Sequence, residues 1–121
     1  MREILFRGKR YDNGKWVKGH YNNTLRYNNL HWIWDGKNHL KIDPETVGQF
    51  TGLTDKNGKK IFEGDILKWD VAEWGGEHCE LVEWDYSLLS MRKNDWQHFC
   101  EVIGNIHDNP ELLGGDAECL T

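Results

Sequence analysis

A mainly β protein, a small barrel or sandwich built from short antiparallel hairpins, is what this chain predicts, and three observations carry the prediction. Short runs alternate in side-chain character with the period of a strand, as in Leu30-His31-Trp32-Ile33-Trp34. The runs are separated by Asn13-Gly14, Asp35-Gly36 and Asn57-Gly58, dipeptides that supply the positive backbone angles of a tight reversal without a steric penalty. No long window repeats with a helical period, so the crossover helices required by a parallel sheet are missing.

The elements follow in order. Ile4, Phe6 and Gly8 share one face of a first strand that ends at Asp12-Asn13-Gly14, and Lys15 to Tyr21 return as its partner. Asn22 to Asn29 have no apolar period and read as an exposed loop or a ragged strand edge. A second hairpin places Trp32 and Trp34 on one face, turns at Asp35-Gly36, and comes back through Leu40 and Ile42. Asp43-Pro44-Glu45-Thr46 has the cap and the first-position proline of a single helical turn.

Gly48 to Trp69 then holds two reversals, Asn57-Gly58 and Glu63-Gly64-Asp65, with Phe50, Leu53, Ile61, Phe62, Ile66 and Leu67 as apolar anchors between the two halves of the fold. Gly75-Gly76 turns the chain between a strand ending near Asp70 and one beginning near His78. Short strands are expected over Cys79–Tyr86, Ser87–Arg92 and Glu101–His107, with a bend at Asn94-Asp95. Asp108-Asn109-Pro110 opens a last helical turn, and an acidic tail from Asp116 frays.

With 121 residues and no linker-like shift in composition, residues 1–121 form one domain, with hairpins to about residue 47, a barrel half over 48–115 and the tail at 116–121. The net charge of -5 weighs against a nonspecific grip on nucleic acid, although it leaves room for a local basic patch. Three irregularly spaced cysteines, Cys79, Cys100 and Cys119, argue for free thiols in a reducing cytosol. No apolar run is long enough to span a membrane and no signal peptide opens the chain, so a cytoplasmic protein with no membrane association is expected.

Four strings then give a family resemblance. They are Arg2-Glu3-Ile4-Leu5-Phe6-Arg7-Gly8; Asp43 to Leu53 (DPETVGQFTGL); Asp55-Lys56-Asn57-Gly58-Lys59 running into Ile61-Phe62-Glu63-Gly64-Asp65-Ile66; and Val102-Ile103-Gly104-Asn105-Ile106 with Asn109-Pro110-Glu111-Leu112. In this order they resemble the YopX family of phage and prophage proteins. The resemblance implies a mainly β fold, an SH3-like small barrel entered near Glu63-Gly64-Asp65, and a phage or prophage origin in a bacterial host. It implies no activity and no catalytic residues, and the stretch from Val71 to Cys100 carries none of the strings.

Few constellations suggest chemistry. His78, Cys79, His98 and Cys100 are of types that suit zinc, but no C-x-x-C or H-x-x-x-H spacing occurs, and His78 and Cys79 are adjacent and so point to opposite faces of a strand. Glu63 and Asp65 flank a glycine, and Asp55-Lys56-Asn57-Gly58 lacks the remaining ligands of a calcium loop, so turn chemistry explains both. Asn13, Gly14, Asn57, Gly58, Gly64 and Asp65 are therefore structural turn residues, with no catalytic residue, metal or cofactor expected.

Trp32 and Trp34, with Arg26, His31, Lys37, His39 and Lys41 around them, present two competing uses. They form an aromatic and basic surface able to stack bases, or they fill the core, the commoner fate of tryptophan. The sequence favours a noncatalytic binding module working through a protein partner or self-association, with nucleic-acid binding around Trp32 and Trp34 as the alternative.

Overall fold

The computed structural model describes residues 4–24, 30–71, 76–83 and 99–113. The chain divides into two compact units, Met1–Phe50 and Thr51–Thr121. The described strand pairings are antiparallel, the described sheets are open, and the described helical structure consists of two 3-10 turns, so the protein is mainly β.

The first unit contains β1 (Phe6–Lys9), β2 (Trp16–Thr24), β3 (Leu30–Trp34), β4 (His39–Lys41) and the first residues of β5 (Gly48–Thr54), in the order β4-β3-β2-β1-β5. Gly14 takes φ +68° while the Asn13 side-chain oxygen accepts from the Lys15 N–H at 2.9 Å. At the second hairpin Asp35 Oδ1 accepts from the N–H groups of Asn38 and Lys37 at 2.7 and 2.8 Å, and these donors hold the Asp35 carboxyl below its ordinary range.

β2 runs longer than the sequence suggests. Asn22, Asn23 and Thr24, expected in a loop or a ragged edge, pair with Trp32, His31 and Leu30, and the ladder outweighs the poor strand preference of asparagine. The rest of that expected loop, residues 25–29, lies outside the described residues.

Ile33 and Ile42 fill the inner side of this sheet. Gly8 lies directly beneath them, since a β-carbon there would stand 3.0 Å from Ile42 Cδ1 and 3.4 Å from Ile33 Cδ1. Phe6 packs on Tyr21, which stacks on His31 and hydrogen-bonds with its Nδ1. Past β4 the chain returns to β1, where Tyr11 N–H donates to the Lys41 carbonyl at 3.0 Å and Asp43 N–H to the Lys9 carbonyl at 2.9 Å. The expected helical turn is a 3-10 turn over Pro44–Thr46, capped by Asp43 Oδ1, which accepts from the Glu45 N–H.

The second unit contains the remainder of β5, paired with β6 (Lys60–Phe62), and a sheet in which β7 (Asp65–Val71) is central between β8 (Gly76–Leu81) and β9 (Cys100–Asn105). β9 bulges at Ile103, because Ile66 pairs with Gly104 and Leu67 with Val102. Ile61, Leu67, Trp69, Val82, Cys100 and Val102 form the core, with Leu53 against it. The expected final helical turn is the 3-10 turn Pro110–Leu113. Among the described residues no pairing closes this sheet into a barrel. The expected segments over 84–98 and 116–121 lie outside the described residues.

Two carboxylates hold this unit together. Asp55 is 3% exposed; its Oδ1 accepts from the N–H groups of Asn57 and Lys59 at 2.9 Å, and its Oδ2 from Val102 N–H at 2.9 Å, 47 positions away. Asp65 Oδ2 accepts from Phe62 N–H at 2.7 Å. Between them, Gly64 (φ +93°) donates its N–H to the Val82 carbonyl and accepts Ile106 N–H on its own carbonyl.

Asp55→Ala leaves three N–H groups without their acceptor, at about 1–3 kcal/mol each for those that stay buried. The expected loss is about 1–3 kcal/mol, read from denaturant midpoints. Gly64→Val forces a β-branched residue to a positive φ and is expected to cost about 1–3 kcal/mol. Unchanged melting in either variant contradicts the assignment of these residues to structural turns.

Candidate functional site

Period two in β3 separates its residues cleanly. Ile33 is buried, whereas Trp32 and Trp34 occupy the opposite face, Trp32 half-buried and Trp34 36% exposed. The reading of these two tryptophans as core is thereby corrected: the isoleucine between them takes the inner position.

Strand register sets the neighbours of this outer face. One cross-strand row is His20-Trp34-His39 and the next is Asn22-Trp32-Lys41. On the β1–β2 side Lys18 pairs with Arg7 and Trp16 with Lys9. Lys18, His20, Asn22, His39 and Lys41 are exposed. The Trp34 and His39 rings meet at 4.7 Å, Lys41 Nζ lies 5.0 Å from the Tyr11 ring, and Trp16 receives the Arg7 guanidinium at 4.8 Å and Lys9 Nζ at 5.5 Å. None of these ten paired positions carries a carboxylate. Asp35 lies just beyond, in the hairpin turn, where Lys37 is also exposed.

Of the residues singled out in the sequence, Trp32, Trp34, His39 and Lys41 come together on this face. Lys37 sits at its end, His31 lies on the opposite face bonded to Tyr21, and Arg26 is outside the described residues. The β2 contribution, Trp16, Lys18, His20 and Asn22, is the part that motif reading misses. Its signal is present in the alternation after Asn13-Gly14, but only the β2–β3 register places it beside the tryptophans.

Charge is unevenly divided between the units. Residues 1–50 hold nine Lys and Arg against five Asp and Glu, net +4, while residues 51–121 hold six against fifteen, net -9. The net -5 of the chain is thus a poor description of its first unit.

Of the zinc-like set, the described members fall in two cross-strand rows. In register, His78 and Cys100 lie in the row of Trp69, and Cys79 lies in the next row with Lys68 and Glu101. Cys79 is disulfide-bonded, which corrects its reading as a free thiol, while Cys100 is a buried thiol outside any disulfide. His98 is outside the described residues. Among the described residues no three of His, Cys, Asp or Glu come together as metal ligands. Asn13, Gly14, Asn57, Gly58, Gly64 and Asp65 all lie at reversals, with Gly58 at φ +81°.

The chain is a mainly β antiparallel protein whose first unit presents a basic, tryptophan-bearing sheet face. Residues 5–114 match the YopX family, described as YopX protein, and the chain belongs to that family. A solved structure, the crystal structure of protein EF1440 from Enterococcus faecalis, is similar in fold, with a TM-score of 0.50 and 24% identity over 93% of this chain and 99% of that one. No curated protein matches. No helix among the described residues is long and apolar enough to cross a membrane.

Burial, followed by the negative charges of Asp55 and Glu80, pushes the Cys100 thiol up to about 12. In the unfolded chain a thiol ionises at about pH 8.5. Because the folded value is the higher one, this contribution to stability is complete below the unfolded value and is lost as pH rises toward the folded one. The denaturant midpoint of the natural chain is expected to fall more steeply above about pH 9 than that of Cys100→Ala. Parallel curves contradict the burial of a neutral thiol.

Proposed function

We propose that the chain is a phage- or prophage-encoded, noncatalytic binding module of the bacterial cytoplasm, and that its ligand is nucleic acid held on the outer face of the β1–β4 sheet. One observation carries this reading. Lysines, histidines and tryptophans alternate across adjacent strands there, with no carboxylate at the paired positions, in a unit of net +4. Lysines neutralise phosphates by displacing their counterions, and aromatic rings accept bases, so the two residue types together suit a polyanion that also carries π faces. The family match across both units supports treating residues 1–121 as one domain. The SH3-like barrel, as a closed form of the second unit, belongs to the same proposal.

A second reading, self-association or a protein partner, draws on the charge division, since a -9 unit can attract the +4 unit of another copy. Sedimentation at low and high salt tests self-association: a salt-sensitive dimer supports it and a monomer throughout rules it out. A reducing compartment keeps cysteines as thiols, so the redox state of Cys79 in the cell reports the location. Acid trapping of thiols in host cells measures this, and a reduced Cys79 supports the cytoplasmic assignment.

Nucleic-acid binding predicts affinity that falls linearly in log–log form with salt. Lys18→Gln and Lys41→Gln are each expected to reduce the slope by about 0.7–0.9. Absent or salt-independent binding to DNA and RNA at low salt removes the reading.

A further inference from the structure

Resting on the nucleic-acid reading, we infer that the outer face of the first unit selects an extended single strand, two of whose successive bases stack on Trp34 and Trp32. The spacing carries the inference. The two residues lie two apart on one strand and on one face, which separates them by about 6.6 Å at the rise of a β-strand. Bases stacked in a duplex follow each other at about 3.4 Å per strand. Two rings at about twice that interval cannot each receive one of two neighbouring stacked bases, whereas a strand drawn out until its bases separate matches them.

The flanking residues fit a backbone running along β3. Each tryptophan sits in the middle of a cross-strand row, Trp34 between His20 and His39, and Trp32 between Asn22 and Lys41. A base on either ring therefore has hydrogen-bonding or cationic groups on both flanks. The exposed Lys18 continues the β2 side of the track, and the exposed Lys37 lies at its hairpin end. The His39 ring at 4.7 Å braces one side of Trp34 and presets the orientation of the ring. Lys41, 5.0 Å over Tyr11, brings a cation to the end of the second row. Stacking is tolerant of sequence, since every base has a π face, so weak sequence preference accompanies the preference for single strands.

Fluorescence anisotropy with a labelled 12-mer of oligo(dT) and a hairpin duplex of matching charge, at low salt, tests this on the full chain. The single strand is expected to bind about tenfold or more tightly and to quench tryptophan emission. Trp34→Ala is expected to lose about tenfold on the single strand with little change on the duplex, and Trp34→Phe to recover most of it. Trp34 is exposed, and a melting curve for each variant separates loss of binding from loss of fold. Equal or tighter duplex binding, or an unchanged Trp34→Ala, overturns the single-strand assignment and leaves nucleic-acid binding standing. No binding to either oligonucleotide, with salt-sensitive self-association instead, overturns both.

Discussion

The buried carboxylate of Asp55 is the constraint on which the second unit depends. Removing a charge from water is costly unless its lone pairs are occupied, and here three backbone N–H groups occupy them. Two of those donors belong to the local turn and the third to Val102 on β9. One side chain therefore shapes the β5–β6 reversal and anchors a strand distant in sequence. The neighbouring bond from Lys56 N–H to the Cys100 carbonyl extends the same junction. Cys100 in turn pairs with Trp69, and the core of Ile61, Leu67, Trp69, Cys100 and Val102 closes beside it. The acidic residues of Gly48 to Trp69 resemble site chemistry when read in line, yet the fold uses Asp55 and Asp65 as acceptors for its own backbone.

The first unit is governed by a different constraint, the two-sidedness of a pleated sheet. Once Ile33 is buried, Trp32 and Trp34 must lie on the other side, and the same rule brings His20, Asn22, His39 and Lys41 alongside them. Close backbone approach fixes the packing of the inner side. A β-carbon on Gly19 would fall 1.9 Å from the Trp34 carbonyl oxygen, and one on Gly8 would press on Ile42. Glycine at these positions lets the inner side close and leaves the larger aromatics outside.

Net charge is a property of the whole chain, whereas counterion release is a property of a surface. An acidic total conceals a first unit of +4 because the fifteen carboxylates after residue 50 outweigh it. The charge argument against nucleic acid loses its force once lysines and tryptophans are found on one sheet face, away from most of the acids in sequence.

Much of the fold is legible in the residues alone, because its signals are local. The reversals at Asn13-Gly14, Asp35-Gly36, Asn57-Gly58 and Gly64, the Asp43-Pro44 cap and the family strings need only neighbours in sequence to be read. The pairing of Trp32 with Trp34 on one side also follows from period two. Which side is buried does not, since alternation assigns residues to shared faces without saying which face meets a partner. That choice rests on Ile42 and Gly8 packing onto Ile33, and the extension of β2 through Asn22–Thr24 rests on pairing with β3. Turn chemistry and kinship were determined by the sequence itself; the outward placement of the aromatic face and the structural role of Asp55 were decided by tertiary structure, because burial and hydrogen-bond partners come from residues far along the chain.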